Sequence, residues 1–522
     1  MKKILFLALC CFMAVELPAQ MVTKKPMTWK DLDLLRYNAL LLENDEDQFI
    51  EYVYPRVSGR KMVEHSLAVF NKNKRNVTHY KVTFEKAHIL QTAFDTDKDY
   101  FAAYTRVEKK NTLYSTAHIP KKGTHNANPK TRLTIPSKNV WSTHLESPDG
   151  KLHGVILLAD GKKKPSKVYV FVYDSMGKEV RFDEFTPSTH SQYFAFSKAT
   201  LDNNGDLTFL FITYDKKGRR TVNGFSLPLF NSLIFKATDP KNTALHIVQL
   251  SGNSRNDYRI PQFSFGEIHS AGILQLDNGT WFIGGYYGEE TSKPSVGYFS
   301  CIFDPNSENI IETNHYTFPA EQKPQDKHMV LIRLLYRAYV EDIVRLENGK
   351  IVMLGEQRAY AIQRTKMGNV VYTEYSNWAS DIVYQTFGNN GEKERNDMVR
   401  KLQSYTTSRY LPPETFCPIA YDFHDYLLSF SHYVKGNDIY LVYNNTHDPD
   451  GYCTPIPLNY GKCCMRLTKL SSDGDVDYKV IMNCENRKSY VKDILLADED
   501  GTVYFSTSGK QGYQIESFHI EE

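Results

Sequence analysis

The chain has 522 residues with 63 basic and 61 acidic side chains, a formal net charge of +2. That balance excludes the strongly basic surface that a nucleic-acid partner requires. The 35 Tyr and 29 Phe, spread through short runs with β-branched residues, favour strands over helices, and the length exceeds one ordinary compact core.

Lys2 and Lys3 precede the apolar run Ile4 to Val15, and Ala19 follows after Leu17 and Pro18. This is the order of charged, apolar and small-residue regions in a secretory leader, so residues 1–19 are expected to be removed and the protein exported. Cys10 and Cys11 lie within the apolar run, with Leu9 where a lipid-attachment motif wants a small residue. No later stretch approaches the roughly 20 apolar residues of a membrane helix, so a transmembrane segment is not expected.

Residues 20–76 read as a helical or irregular segment. Thr28 and Asp31 have the spacing of a capping box, and Leu32, Leu35, Ala39 and Leu42 mark one face, which predicts a helix over Trp29 to Glu43. Thr78 to Ile89 reads as strand. Asp95, Asp97 and Asp99 alternate in "DTDKD", where three carboxylates could hold one calcium ion. A sharp-turn glycine and a distant bidentate Glu are absent, and a solvated turn is the plainer reading.

From here one unit recurs: an apolar run, a turn ending in Gly, and a second apolar run. Its copies centre on Gly150, Gly205, Gly279, Gly349, Gly436 and Gly501, with a degenerate copy at Phe94 to Tyr104 where Lys98 stands for the glycine. Such turns between apolar runs are strong hairpin signals. Further strand material follows, as in Val168 to Tyr173 and "KEVRF", giving four strands per unit. Residues 77–522 are therefore expected to form an all-β propeller of seven four-stranded blades, within a range of six to eight. The last unit supplies three strands, and a strand near Tyr80 to Phe84 is expected to complete it and remove an open edge. Glu392 to Tyr405, before Pro412 and Pro413, reads as a helical insertion.

Trp281 to Ile310 resembles a Kelch repeat, with an apolar strand entering the pair Gly284 and Gly285, then an aromatic, then "FDP" at Phe303 to Pro305. The resemblance implies propeller architecture. It covers one blade, and only this copy has the glycine pair.

Eight cysteines include Cys10 and Cys11 of the leader; Cys301, Cys417, Cys453, Cys463, Cys464 and Cys484 remain. In an exported chain these read first as disulfide chemistry, and the five from Cys417 to Cys484 are the candidates to tie down the long insertion. Adjacent Cys463 and Cys464 point to opposite faces of a strand and suit different partners. Zinc binding lacks a C-x-x-C pair.

"YRIP", Tyr258 to Pro261, resembles the motif that opens the catalytic domain of sialidases, which implies a carboxylate-gripping role for Arg259. The motif lies mid-chain and no Asp-box accompanies it, so a structural role is the plainer reading. If the glycine turns join strands one and two, the connections from strand two to strand three gather at the opposite end. Tyr286, Tyr287, Glu356, Arg358, Asn444 and His447 fall on those connections and are the candidates for a ligand-contact surface. The expected function is an exported, non-enzymatic recognition or scaffold module for a protein or glycan, without a required cofactor. The rival is a glycan-active, sialidase-like enzyme using the same end.

Overall fold

The structure is a computed structural model. The described residues are the strands and most of the short turns between them. The longest stretches outside them are 1–26, 29–38, 215–224, 320–336, 408–428 and 446–463, and before residue 91 and over 360–377 only strand backbone is described.

Every regular element among the described residues is a strand, and the pairing makes an antiparallel propeller. Seven sheets correspond to the seven repeated units. Blade 2 comprises Ile89–Asp95, Asp99–Glu108, Asn111–Pro120 and Lys130–Ile135. Blade 3 runs from Val140–Glu146 to Glu179–Phe185, and blade 4 comprises Tyr193–Leu201, Leu207–Tyr214, Ala244–Ser251 and Ser254–Ile260. Blade 5 runs from Glu267–Gln275 to Asn309–Thr317, and blade 6 comprises Arg337–Arg345, Ile351–Met367, Val370–Phe387 and Lys393–Val399. Blade 7 runs from Phe430–Lys435 to Val476–Met482, and blade 8 from Lys488–Ala497 to Gly512–His519. The N-terminal segment adds a further sheet, blade 1, from Ala39–Asn44, Gln48–Val53, Val63–Asn71 and Asn76–Phe84. The ring so described stands at the upper end of the expected range.

The seven turns expected to join strands one and two do so. In blade 5, Gly279 N donates to Leu276 O at 2.9 Å and Leu276 N to Thr280 O at 2.9 Å. This closes a three-residue hairpin whose last position, φ 82°, is left-handed and suits glycine. Neighbouring turns also clasp each other across blades. Asp149 N donates to Asn203 Oδ1 at 3.0 Å, and Asn348 N to Asn437 Oδ1 at 2.8 Å.

Apolar clusters fill the space between successive blades from 2 to 8. A middle strand is covered on both faces, which is why Val168 to Tyr173 and Trp281 to Gly288 are buried throughout and carry unbroken apolar or glycine sequence. The pair Gly284 and Gly285 has a local packing reason. A Cβ would come within 2.8 Å of Met353 Sδ at the first and 2.7 Å of Phe299 Cε1 at the second.

Three expectations are corrected. The predicted helix over Trp29 to Glu43 ends in the strand Ala39–Asn44, because the run "ALLL" is taken up by pairing with Gln48–Val53; residues 29–38 lie outside the described residues. Tyr80 to Phe84 lies in the last strand of blade 1, paired with Val63–Asn71, so it does not complete the final unit. Met27–Thr28 does so, with Met27 opposite Ile515 and Thr28 opposite Gln514. The two ends of the chain still meet in one blade, as expected. The predicted helix over Glu392 to Tyr405 is instead the outermost strand of blade 6, Lys393–Val399, and a second strand, Gln403–Thr407. An outermost strand faces solvent, so its charged sequence imitates a surface helix.

Blade 6 is also longer than the rest. Its middle hairpin continues past the ring to Met367 and Val370. There Ser232–Phe235, backed by Phe225–Leu227, pairs with Ile362 to Thr365, and Gln403–Thr407 pairs with Tyr375 to Ala379. The result is a five-stranded extension at the end of the ring opposite the glycine turns.

Candidate functional site

The site is built on irregularities in the innermost strands. In blades 2, 4, 5 and 6 the register of strand one against strand two slips by a residue, at Leu90/Thr92, Phe196/Lys198, Ile268/Ser270 and Val340/Asp342. The extra residues are Gln91, Ser197, His269 and Glu341, all polar. A bulge bends the strand and re-aims side chains, and bulges gather near active and binding sites. Here each sends a polar group sideways. Gln91 Oε1 accepts from Ser142 Oγ of blade 3, and Ser197 Oγ donates to Ala271 O of blade 5. His269 Nδ1 lies 2.7 Å from Ser295 Oγ, which accepts from Ala338 N of blade 6 at 2.8 Å.

Two of these bulges bring charge to the axis. Lys198 Nζ lies 2.7 Å from Asp342 Oδ1, although blade 5 separates their blades. The outer side of the first strand of blade 5 is filled by its own sheet, so the Lys198 side chain reaches Asp342 past its axial edge. His432 Nε2 of blade 7 stands 3.2 Å from Asp342 Oδ2. The side chains of Lys198, Asp342 and His432 retain 36%, 28% and 21% of their exposure, so all three remain partly open to solvent. Burial alone would raise the Asp342 carboxyl; the charges of Lys198 and His432 outweigh it and hold the group well below the ordinary carboxylate range.

Directly behind lies a second, deeper layer. The bulged residue Glu341 accepts from Arg358 Nη2 at 2.5 Å, and Arg358 Nε donates to Glu356 Oε2 at 2.6 Å. Glu356 is 0% exposed and also takes the ammonium of Lys401. Lys401 is positioned by its backbone N–H, which donates to Asp381 Oδ1 at 3.1 Å. Burial lowers its pKa against the pull of Glu356. Gln403 closes the network: its Oε1 accepts from Lys401 Nζ at 2.9 Å and Ser429 N at 2.6 Å, and its Nε2 donates to Asn444 O at 2.6 Å. Arg358 Nη2 also reaches Ser429 Oγ at 2.9 Å. Blades 6 and 7 are thus joined by buried hydrogen bonds linking Gln403 and Arg358 to Ser429 and Asn444 as well as by apolar packing.

The residues proposed from sequence are distributed as follows. Glu356 and Arg358 sit in this second layer, and Asn444 touches it through its carbonyl. All three lie inside strands and are buried, as are Tyr286 and Tyr287, so their expected placement on open loops is corrected. The reason is that the second strands continue through these residues as paired middle strands, which the neighbouring blades cover. Tyr286 Oη donates to Gln385 Oε1 at 2.9 Å, and the Tyr287 ring packs on Phe265. His447 lies outside the described residues. Arg259 is exposed on the outermost strand of blade 4, opposite His246 and away from the axis, so it is remote from any ligand in the channel. Asp95 pairs with Lys121, and Asp99 with His118 at 2.9 Å, while Asp97 lies outside the described residues. Among the described residues no group of three His, Cys, Asp or Glu side chains could hold a metal ion. Cys301 is a buried thiol, pushed up to about 11 by burial, and Cys464 begins a strand of blade 7. Cys417, Cys453, Cys463 and Cys484 lie outside the described residues.

Sequence reading missed Lys198, Asp342, His432, Lys401 and Gln403. One signal was available: Ser197–Lys198 and Glu341–Asp342 are polar pairs inside apolar strands, the mark a bulge leaves.

Among the described residues no helix is long and apolar enough to cross a membrane. No protein-family model matches the chain, and no curated protein matches its sequence. Among solved structures, the NanB sialidase of Streptococcus pneumoniae is similar at 9% identity and a TM-score of 0.34, over 95% of this chain and 94% of that one. The α-L-arabinanase of Penicillium chrysogenum is similar at 10% identity and a TM-score of 0.36, over 73% and 93%. Prolyl oligopeptidase B of Galerina marginata is similar at 8% identity and a TM-score of 0.37, over 94% of this chain and 55% of that one. The assignment of this chain to the all-β propeller class rests on its own strand pairing.

Proposed function

We propose that the protein is an exported recognition module that engages a protein or glycan at the end of the ring opposite the glycine turns, without chemically altering it. The observation that supports this reading is the five-stranded extension, assembled at that one end from the long hairpin of blade 6 and strands lent by two separate connections. Closing the ring does not require it. Variable elements held on a rigid scaffold are where binding surfaces concentrate, and the polar inner-strand belt opens beneath it.

The rival reading, a glycan-active enzyme, draws on the adjacent carboxylates Glu341 and Asp342 beside the axis. Both are neutralised by cations, and Arg259 contributes nothing at that place. Export rests on the leader sequence of residues 1–19.

The test is a glycan array and a fluorogenic glycoside panel, run on the wild-type protein and on a variant with residues 361–374 replaced by an Asn-Gly turn. Glycan binding that disappears in the shortened variant, with its thermal midpoint retained and no turnover by either protein, supports the module. Turnover by the wild type that Asp342→Asn abolishes refutes it in favour of the enzyme.

A further inference from the structure

We infer that Lys198, Asp342 and His432 form a seat in the central channel for an uncharged polyhydroxyl ligand, the end or side of a neutral sugar chain. This rests on the recognition reading above and specifies its ligand.

Three observations lead there. First, the three side chains come from three different blades and converge from innermost strands, two of them directly after bulges. Simple closure of a propeller needs no such convergence, and the apolar clusters between blades already hold the ring. Second, the group stays partly open to the channel, whereas the chemically similar network behind it is sealed: the side chains of Lys401 and Glu356 are both 0% exposed. One layer is built to be closed and the other to be reached. Third, the donor and acceptor inventory suits hydroxyls. Lys198 commits one of its three N–H donors to Asp342, and His432 commits Nε2, which leaves further ammonium donors and Nδ1 facing the channel. Asp342 oxygens have lone pairs beyond those used. A hydroxyl both donates and accepts, so it can bridge these groups in the way water does.

Charge selects the neutral ligand. Lys198 offsets Asp342, Arg358 offsets Glu341, and Lys401 offsets Glu356, so these three pairs sum to zero. A carboxylated sugar would bring an extra negative charge into a partly desolvated place whose lysine and arginine charges are already matched, which is costly. A neutral ligand exchanges its hydroxyls for channel water at no such cost.

The experiment uses the mature full-length protein and soluble tetrasaccharides: neutral glucose and mannose tetramers, and a galacturonate tetramer. Binding is followed by ligand-observed NMR and calorimetry. A neutral tetramer is expected to bind, and Lys198→Ala and His432→Ala are each expected to weaken it about tenfold or more, as loss of a charged hydrogen bond implies. The galacturonate tetramer is expected to bind at least about tenfold more weakly than the neutral one. Lys198→Gln, which keeps donors without the charge, should recover part of the loss, and the thermal midpoints show that each variant folds. Neutral binding unchanged in both alanine variants, or a preference for the uronate, overturns the seat while leaving glycan recognition elsewhere intact. Failure of the wild type to bind any tetramer overturns the seat together with the glycan branch of the proposed function.

Discussion

Glu356 gives the most direct test of the buried layer. Its carboxylate is the shared partner of the Lys401 ammonium and the Arg358 guanidinium, and it is 0% exposed. Glu356→Gln preserves shape but removes the charge, leaving Lys401 beside a neutral amide and with Gln403 as its remaining acceptor. Arg358 retains Glu341. Removing one member of a buried pair costs about 3–5 kcal/mol, because the other charge is left uncompensated, whereas replacing both members with neutral groups is often close to neutral. The expectation is therefore a loss of about 3–5 kcal/mol for Glu356→Gln and most of it recovered in Glu356→Gln combined with Lys401→Met. Chemical denaturation of the two single variants and the double one measures this as a cycle. The surface pair Lys167 and Glu184 serves as a control and should give below about 1 kcal/mol. A Glu356→Gln loss within about 1 kcal/mol, or a double variant worse than both singles, would refute the reasoning that buried charge compensation stabilises this layer of blade 6.

Acid should loosen the seam between blades 2 and 3. His153 stacks on Phe94 and is held down to about 4 by burial and by His144, which burial also lowers. Both groups resist protonation in the folded chain while the unfolded chain protonates near 6.5, so stability present above that pH should fall as pH drops from 6.5 toward 4. The His153 share is on the order of 3 kcal/mol, and a flatter acid limb in His153→Gln, read by melts across that window, checks it. Gly355→Ala should destabilise by about 1–3 kcal/mol, since the new Cβ would come within 2.6 Å of Tyr286 Cζ in a ring fixed by Gln385; an unchanged thermal midpoint would show that this ring can move. Removing residues 20–28 should lower the midpoint and promote self-association through the bared strand Gly512–His519, and light scattering that reports an unaltered monomer would count against the closure.

The sequence made the propeller legible because one local rule repeats: a left-handed glycine sits at six of the turns from strand one into strand two. Gly205, Gly349 and Gly501 all carry the positive φ that this geometry demands. Outermost strands were harder, since solvent on one side removes the apolar run; Lys393–Val399 therefore read as helix. The polar belt was least legible. Lys198 meets Asp342 and Lys401 meets Glu356 only after the ring has closed, and no spacing along the chain encodes which blade will face which. Glu356 and Arg358 were found for an imperfect reason, as members of a supposed loop. Beside them the pairing register slips, with the extra residue on the neighbouring strand Val370–Phe387.

The pairing of Met27 with Ile515 sets an order of events. Individual hairpins can form as soon as they emerge, but the earliest described strand has no partner until nearly the whole polypeptide is available. Contacts of such large sequence separation are slow to form. Met27–Thr28 must therefore wait unpaired until Gly512–His519 has been made, and that interval is when the molecule is most exposed to misassembly.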